Sequence, residues 1–270
     1  MKNLPLISQT RKAESLIPVN GIQIGRDFVV MAGPCSVESE EQTLRIAQAV
    51  KTAGAHILRG GAFKPRTSPY SFQGLGLKGL KILAAVRQET GLPVVSEVMD
   101  PRDADWMCDY VDILQVGARN MHNFSLLKEV GKAAKPVILK RGMHSTIKEW
   151  LYCAEYILKE GNSQVILCER GIRTFETYSR NTLDLSSVPA VKELTHLPVI
   201  VDPSHATGRP SLIPSMSMAA VASGADGLII EVHDRPEESM CDKDQAVTPL
   251  MFTQLIRKAF KLRAFMDNLS

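Results

Sequence analysis

The sequence predicts an α/β protein that folds as a (β/α)8 barrel, or TIM barrel, with a short β-hairpin before it. Short apolar segments rich in β-branched residues recur along the 270-residue chain from Phe28 onward, and an amphipathic stretch follows each of them. The segments are apolar throughout rather than alternating, which is typical of parallel strands covered on both faces. Eight strand–helix units in about 250 residues match the size of a closed barrel.

The predicted elements alternate strictly along the chain. Strands are expected at residues 28–32, 56–59, 93–97, 113–116, 136–140, 164–168, 198–201 and 227–231. Helices are expected at residues 40–52, 78–89, 103–109, 124–132, 147–160, 189–194, 215–223 and 249–266. Gly54, Gly161 and Gly224 indicate helix ends, because glycine accepts the left-handed backbone that commonly terminates a helix.

An open, doubly wound sheet is the alternative fold. Its dinucleotide-binding version carries a GxGxxG motif after the first strand, and this sequence has Gly-Pro-Cys-Ser there. No linker or change in composition divides the chain. We therefore predict an N-terminal hairpin extension at residues 1–26, signalled by Asn20-Gly21 between apolar residues, and a single barrel catalytic domain at residues 27–270. The hairpin is expected to cover one end of the barrel.

Composition excludes several classes of protein. The net charge is only +3 and no Lys/Arg block runs along the chain, which argues against a nucleic-acid-binding protein. No apolar segment approaches the roughly 18 residues of a membrane span, and the N-terminus does not resemble a secretory signal. The five cysteines lack CxxC spacing, which argues against a disulfide framework and for a reducing, cytoplasmic location.

Cations follow most of the predicted strands, at the barrel end where catalytic residues cluster. Such cations repel one another unless anions are bound between them. We therefore expect a substrate with several negative charges, such as two phosphates or a phosphate and a carboxylate. The predicted anion-binding side chains are Arg59, Lys64, Arg66, Arg119, Lys140 and Arg170, and hydroxyls including Thr67 lie in the glycine-rich loop at residues 59–76.

A second set of residues suggests a divalent metal ion. Cys35, His205 and Glu231 follow the first, seventh and eighth strands, which are neighbours in a closed barrel, and Asp242 lies in the loop beyond the eighth. A thiolate, an imidazole and carboxylates suit Mn, Fe or Zn, which could act as a Lewis acid on a substrate oxygen. Cys241 is a competing thiol, whereas His233 and Asp202 could support the ligands or contact substrate.

The strand-end motifs resemble the 3-deoxy-D-arabino-heptulosonate 7-phosphate (DAHP) synthases, in the branch related to the 3-deoxy-octulosonate 8-phosphate synthases. The resemblance covers nearly everything after residue 27. It rests on these motifs: Gly33-Pro34-Cys35-Ser36, residues 59–68 (RGGAFKPRTS), Gly117-Ala118-Arg119-Asn120, Leu139-Lys140-Arg141-Gly142, Cys168-Glu169-Arg170-Gly171 and Asp202-Pro203-Ser204-His205.

This resemblance implies an aldol-type condensation of phosphoenolpyruvate with D-erythrose 4-phosphate, the first step of the shikimate pathway to chorismate and the aromatic amino acids. It implies one divalent ion held by Cys35, His205, Glu231 and Asp242. Arg119 and Arg170 would bind the phosphoenolpyruvate phosphate, Arg59 and Lys140 its carboxylate, and Arg66 and Thr67 the sugar phosphate. Ala118 and Asp202 would also contact substrate, and Lys64, Cys35 and His205 would take part in catalysis.

Three alternatives remain open. An octulosonate synthase would use arabinose 5-phosphate, but its loop typically reads Lys-Ala-Asn-Arg-Ser-Ser where this chain has Lys64-Pro-Arg-Thr-Ser. A Schiff-base aldolase would use Lys140 as nucleophile, and a sugar-phosphate sensor would keep the site without turnover.

The resemblance also implies a homo-oligomer, expected to be a tetramer. Because only about 27 residues precede the first strand, we expect no built-in inhibition by phenylalanine or tyrosine.

Overall fold

A computed structural model describes residues 4–8, 14–66 and 68–269. A two-stranded antiparallel sheet, β1 (Ile17–Val19) and β2 (Ile22–Ile24), precedes a closed barrel of eight parallel strands. The barrel strands are β3 (Val29–Gly33), β4 (Ile57–Arg59), β5 (Val94–Val98), β6 (Ile113–Val116), β7 (Val137–Lys140), β8 (Val165–Glu169), β9 (Val199–Val201) and β10 (Gly227–Glu231). They pair in chain order, and β10 closes against β3 with Glu231 beside Gly33. The predicted fold is confirmed.

Helices surround the barrel. They are α1 (Glu40–Ala53), α2 (Leu77–Thr90), α3 (Phe124–Lys132), α4 (Ile147–Lys159), α5 (Ser187–Leu194), α6 (Pro203–Thr207), α7 (Ile213–Ala222) and α8 (Pro249–Asp267). The ends follow local chemistry: Thr146 and Glu149 form a reciprocal capping box at α4, and Gly54 ends α1 in the left-handed region at φ 105°. None of the described helices is long and apolar enough to cross a bilayer.

The structure differs from the predicted elements after β5 and after β9, among other places. After β5 the chain forms two short 3-10 helices, Pro101–Asp103 and Trp106–Asp109, where an α-helix was predicted at residues 103–109. This segment is rich in aspartates, which compete with the helical backbone for hydrogen bonds. The short helix α6 was not predicted. It begins directly after β9 because the Asp202 side chain accepts a hydrogen bond from His205 N and Pro203 occupies the first turn.

The hairpin covers the amino-terminal end of the barrel. Asn20 and Gly21 both have positive φ, 47° and 85°, the turn geometry that suits a tight hairpin. Ile17 and Ile24 are buried in the same apolar cluster as Ile57, Ile113 and other residues that point into the barrel. The predicted role of the hairpin is thus confirmed. Because the hairpin fills the amino-terminal end of the barrel, the active site is expected at the opposite end, where the strands finish.

Candidate active site

A single cavity at the carboxyl ends of the strands gathers the predicted cations. All six of them line it, and Arg173 and Arg180 from the loop between β8 and α5 join them. Ala118, His205 and Asp242 also border this cavity. Thr67 lies outside the described residues. The eight basic side chains around the cavity are Arg59, Lys64, Arg66, Arg119, Lys140, Arg170, Arg173 and Arg180.

Arg170 is a buried cation of the cavity that forms no ion pair with a carboxylate of the described residues. Its residue is only 5% exposed, and its guanidinium donates to the His205 carbonyl oxygen at 3.2 Å and more weakly to that of Gly171. Burial lowers the pKa of Arg170, and attraction to the Asp202 carboxylate does not offset that effect. A buried guanidinium in this situation is stabilised by an anionic ligand.

A buried ion pair behind the cavity holds Arg170 in place. Arg141 Nη1 lies 2.9 Å from Glu169 Oε2 and 2.8 Å from Asp184 Oδ2, and the other Glu169 oxygen accepts from Gly171 N at 2.6 Å. Glu169 is fully buried. Arg170 lies between Glu169 and Gly171 in the chain. The bonds that the Glu169 carboxylate makes to Arg141 and to Gly171 N therefore fix the backbone from which the Arg170 side chain enters the cavity.

The four predicted metal ligands fall into two overlapping groups that share Asp242. His205, Glu231 and Asp242 form one, and Cys35, Cys241 and Asp242 form the other; within each group the donor atoms lie within 4.8 Å of one another. Asp242 reaches both groups from a left-handed backbone conformation, φ 50° and ψ 38°. The four predicted ligands therefore do not form one group of four in the structure; Asp242 is common to both groups, and Cys241 lies beside Cys35.

His205 is oriented by the two carboxylates on either side of it. Its Nδ1 lies 2.7 Å from Asp202 Oδ2, and its Nε2 lies 3.1 Å from Glu231 Oε1. Burial would raise the pKa of Asp202, but His205 and Lys140 outweigh it and hold that pKa well below its usual range. An ionised Asp202 on Nδ1 leaves Nε2 as the ligand nitrogen, an arrangement typical of metal-binding histidines.

Glu231 is surrounded by donors. Its Oε1 accepts from Arg59 Nη1 at 3.0 Å, and its Oε2 accepts from Gln245 Nε2 at 2.5 Å. The Gln245 side-chain oxygen, Oε1, in turn accepts from Arg180 Nη1 at 2.6 Å. Gln245 therefore connects a predicted metal ligand to a cation of the anion-binding cavity.

Cys35 lies at the centre of a second cluster. Its Sγ is 3.4 Å from Cys241 Sγ and 3.4 Å from Asp242 Oδ2, and Lys64 Nζ is 3.0 Å from the same sulfur. Gly61 makes this approach possible, because a Cβ there would lie 2.8 Å from the Cys35 carbonyl oxygen. The hydrogen bond from Cys35 lowers the pKa of Cys241 to about 7.

Asp242 and Cys241 both contact Arg66 of the cavity, and the Glu38 carboxylate binds the loop that carries them. Arg66 Nη1 lies 3.3 Å from Asp242 Oδ1, and Arg66 Nη2 contacts Cys241 Sγ. Glu38 Oε1 accepts from Ser36 Oγ at 3.2 Å and from Met240 N at 2.9 Å. Glu38 thus joins the segment that carries Cys35 to the segment that carries Cys241 and Asp242.

Arg180 and Gln245 are among the residues of the site that sequence reasoning missed. Arg180 lies in a long loop and Gln245 in a short 3-10 helix, Lys243–Gln245, and neither follows a strand directly. The strand-end criterion therefore could not find them. Gln245 is 2% exposed, so its amide must find partners inside the protein, but no periodicity in the sequence signals that burial.

Comparison with known proteins agrees with this geometry. Residues 7–265 match the model of the DAHP synthetase I family. A phospho-2-dehydro-3-deoxyheptonate aldolase of Thermotoga maritima is 47% identical over 264 residues, covering 97% of this chain and 78% of that protein. A 2-dehydro-3-deoxyphosphooctonate aldolase of Desulfatibacillum aliphaticivorans is 31% identical over 260 residues, covering 90% of this chain and 94% of the relative.

Solved structures show the same relationship. A crystal structure of the Thermotoga maritima phospho-2-dehydro-3-deoxyheptonate aldolase (DAHP synthase) superposes with a TM-score of 0.94 at 46% identity, covering 97% of this chain and 77% of that one. A truncated form of the 3-deoxy-D-arabino-heptulosonate 7-phosphate synthase from the same organism superposes with a TM-score of 0.91 at 42% identity, covering 97% of both chains. The fold, the strand-end motifs and these similarities lead to one conclusion: the chain belongs to the DAHP synthetase I family.

Proposed function

We propose that this chain is a DAHP synthase, which condenses phosphoenolpyruvate with D-erythrose 4-phosphate and water to give DAHP and inorganic phosphate at the start of the shikimate pathway. The observation that carries the proposal is the buried, undercompensated Arg170 in a cavity lined by eight basic side chains. Two phosphorylated substrates supply the negative charge that such a cavity requires. The 47% identical relative named for this product supports the same assignment.

We propose that the two anionic substrates occupy different parts of the cavity. Arg119 and Arg170 bind the phosphate of phosphoenolpyruvate, and Ala118 lies beside them in the same lining. Arg59 and Lys140, from β4 and β7, bind its carboxylate, with Asp202 positioning Lys140. Arg66 and Thr67, in the loop after β4, bind the phosphate of the sugar. Fixed cations of this kind offset the repulsion between two anions and hold them in reacting geometry.

The donor set fits a divalent ion. Cys35, His205, Glu231 and Asp242 offer a thiol, an imidazole and two carboxylates, and Asp202 orients the imidazole from behind. We propose that these residues hold one ion of the Mn, Fe or Zn type. When bound, such an ion supplies Lewis-acid polarisation of the sugar aldehyde oxygen.

The reaction joins C3 of phosphoenolpyruvate to the aldehyde carbon, while a proton reaches the aldehyde oxygen. Water then adds at C2 and inorganic phosphate leaves. Lys64 is placed to take part, since its ammonium lies 3.0 Å from Cys35 Sγ and lines the cavity. Burial would lower the pKa of Lys64, but Cys35 and Cys241 outweigh it and raise that pKa. Lys64 is therefore protonated, and we propose that it acts as a fixed cation beside the reacting groups.

A direct test measures loss of phosphoenolpyruvate and release of inorganic phosphate with each sugar. We expect kcat/KM for erythrose 4-phosphate to exceed that for arabinose 5-phosphate by about 100-fold or more. EDTA should abolish turnover, and a divalent ion should restore it. The opposite sugar preference would make the chain an octulosonate synthase, and release of phosphate with neither sugar would leave only the sensor interpretation.

Two variants sharpen this test. Arg170→Lys loses the planar guanidinium and should raise KM for phosphoenolpyruvate by roughly 10-fold or more. The matched control, Arg263→Lys, changes an arginine on α8 that pairs with Asp267 away from the cavity, and it should leave both kinetic constants unchanged. An unchanged KM in Arg170→Lys would remove Arg170 from the proposed phosphate site.

A Schiff-base mechanism predicts different behaviour. Lys140 forms an ion pair with Asp202, with Nζ 2.6 Å from Oδ2, and only 4% of Lys140 is exposed to solvent. A paired ammonium is a poor nucleophile, because attack on a carbonyl requires the neutral amine. Borohydride added with substrates should therefore fail to label Lys140. Labelling of Lys140 together with indifference to EDTA would replace the metal mechanism.

We further propose a cytoplasmic homotetramer. All five cysteines are free thiols, which suits a reducing compartment. Light scattering coupled to size-exclusion chromatography would measure the assembly, with four chains of 29.7 kDa expected per particle.

A further inference from the structure

Arg180 and Gln245 lie at the active-site end of the barrel in addition to the residues proposed to bind phosphoenolpyruvate or an ion. We propose that Arg180 binds the phosphate of the sugar together with Arg66, and that Gln245 is a positioning residue that holds Arg180 in place. The inference rests on the proposed condensation for its effect on turnover, but the contact with a sugar phosphate can also be measured without turnover.

Arg66 and Arg180 share one carboxylate. Arg66 Nη1 lies 3.3 Å from Asp242 Oδ1, and Arg180 Nη1 lies 3.7 Å from Asp242 Oδ2. Among the described residues, neither arginine forms an ion pair with any other carboxylate. Two guanidiniums and one carboxylate leave an excess positive charge at this side of the cavity. A phosphate group offers oxygens to both guanidiniums and the negative charge that offsets the excess.

Exposure places these two arginines in the outer part of the cavity. The side chains of Arg66 and Arg180 are 19% and 36% exposed, whereas Arg59 and Lys140 are buried. The aldehyde carbon of the sugar must reach C3 of phosphoenolpyruvate, which the buried cations hold at the inner part. The phosphate of erythrose 4-phosphate is at the opposite end of a four-carbon chain, so it extends toward the outer arginines.

Gln245 fixes the direction of the Arg180 side chain. Its Nε2 donates to Glu231 Oε2 at 2.5 Å, and its Oε1 accepts from Arg180 Nη1 at 2.6 Å. A carboxylate only accepts and a guanidinium only donates, so one orientation of the amide satisfies both partners and the reversed orientation satisfies neither. Because Gln245 is buried, its amide keeps these partners, and the Arg180 guanidinium is held against it.

The backbone that carries Arg180 is bound to α6. Arg180 N donates to the Thr207 carbonyl oxygen at 2.9 Å, and Asn181 N donates to that of Ala206 at 2.8 Å. Gly208 leaves room for this approach, because a Cβ there would lie 2.6 Å from Arg180 Cβ. Arg180 is therefore fixed at its backbone and at its guanidinium, which reduces the entropy lost when it binds an anion.

A fixed Arg180 also sets the length of sugar that fits. Arabinose 5-phosphate has one more carbon than erythrose 4-phosphate, and a carbon–carbon bond is about 1.5 Å long. A misplacement of about 1 Å at a reacting centre can cost about 100-fold in rate. Loss of Arg180 should therefore reduce both the affinity for the four-carbon sugar and the preference for it over the five-carbon sugar.

Steady-state kinetics of Arg180→Ala separate this role from a general loss of structure. KM for erythrose 4-phosphate should rise by roughly 10- to 100-fold, as expected for a lost charged hydrogen bond, while KM for phosphoenolpyruvate should stay within about threefold. The matched control, Arg209→Ala, removes an arginine that lies 4.1 Å from the Tyr178 ring and outside the cavity lining. It should leave both constants unchanged.

A double-mutant cycle tests the role of Gln245. Gln245→Met removes the amide at similar volume and should raise KM for erythrose 4-phosphate by about fivefold or more. The same change in Arg180→Ala should have no further effect on this KM, because no guanidinium remains for Gln245 to hold. Equal effects in both backgrounds would show that Gln245 acts by another route, through Glu231, and would overturn its role in positioning Arg180.

Calorimetric titration of the full chain with D-erythritol 4-phosphate measures the contact without turnover, because this alcohol lacks the aldehyde and cannot condense. Arg180→Ala should bind it at least about 10-fold more weakly than wild type or Arg209→Ala. Equal affinities, including a lack of binding to all three proteins, would overturn the proposal, as would an unchanged KM for erythrose 4-phosphate in Arg180→Ala. Failure of the proposed condensation would give a different result, a wild type that releases no phosphate with either sugar.

Discussion

Lys140 and Asp202 form a buried ion pair at the carboxyl end of the barrel, with Nζ and Oδ2 2.6 Å apart and side-chain exposures of 5% and 1%. The same Asp202 oxygen lies 2.7 Å from His205 Nδ1. One carboxylate thus positions a cation of the substrate cavity and a predicted metal ligand. The position of Lys140 in the substrate cavity and the position of His205 in the predicted metal site therefore both depend on Asp202.

Replacing Asp202 by Asn should weaken ion binding and slow turnover. The amide is uncharged and cannot support both the Lys140 ammonium and the His205 Nδ1–H with the same strength. Loss of such a supporting partner typically costs about 10- to 100-fold in metal affinity or activity. Mn²⁺ affinity, measured by competition with a chelating dye, and kcat should both fall within that range.

The control for Asp202 is a second buried aspartate, Asp226, which directly precedes β10. Asp226 pairs with Lys192 at 2.6 Å and accepts a hydrogen bond from Val199 N. It lies at the amino-terminal end of the barrel, away from the cavity. Asp226→Asn should lower the melting temperature without changing Mn²⁺ affinity. Wild-type ion affinity in Asp202→Asn would show that Asp202 does not orient His205.

Glu38→Gln should loosen the loop that carries Cys241 and Asp242. The Glu38 carboxylate accepts from Ser36 Oγ, Ser239 Oγ and Met240 N, and an amide loses the charge that strengthens these bonds. We expect ion affinity to drop about 10-fold, with the free energy of unfolding lowered by only about 1 kcal/mol.

Glu41→Gln is the comparison for Glu38, because Glu41 lies close by in the first turn of α1, has a side chain that is 85% exposed and pairs with Arg45. Its ion affinity should equal that of wild type. If equilibrium dialysis finds the same affinity for all three proteins, Glu38 has no role in positioning the ion site.

Arg141→Met should be among the most destabilising changes outside the cavity. It would leave Glu169, fully buried, without its guanidinium partner 2.9 Å away, and removing one member of a buried pair costs about 3–5 kcal/mol. Urea unfolding would measure the loss. Arg141→Met/Glu169→Leu, which removes both charges, should recover part of it.

A surface pair provides the reference for Arg141. Arg87 and Asp112 lie 3.2 Å apart with side chains 27% exposed, so Arg87→Met should cost about 1 kcal/mol or less. Equal losses in Arg141→Met and Arg87→Met would mean that water reaches the Glu169 pair and that the clamp behind Arg170 is weaker than its burial indicates.

Alkaline pH should destabilise the protein through Cys153. Burial, with a smaller contribution from Glu149, raises the pKa of this thiol from 9.0 to about 12. Because the folded-state pKa is above the unfolded value, the associated stability is fully present below pH 9 and is lost as pH rises toward 12. The loss is about 1.4 kcal/mol per pH unit.

Cys153→Ala isolates this effect, since every other titrating group is common to both proteins. Urea unfolding between about pH 8 and 10.5 should show a steeper decline for wild type, by roughly 2 kcal/mol at the upper end. Parallel pH profiles for the two proteins would show that the Cys153 thiol ionises in the folded state as readily as in the unfolded one.

The sequence by itself determined the barrel and the content of its functional end. Uniformly apolar strands required cover on both faces, and parallel strands in chain order place all carboxyl ends on one side. Arg59, Lys140 and Glu231, which end β4, β7 and β10, could therefore be assigned to one opening before their distances were known. The Asn20-Gly21 turn likewise specified the hairpin through backbone preferences alone.

Only the tertiary structure decided which neighbours meet. Cys241, Gln245 and Arg180 lie on loops whose paths depend on packing against the barrel, and no periodicity encodes those paths. The division of the predicted ligands into a nitrogen–oxygen group and a thiol-rich group around Asp242 arises in the same way. Strand order is a local and repetitive property, whereas the approach of Cys35 to Cys241, separated by 206 residues, depends on closure of the whole barrel.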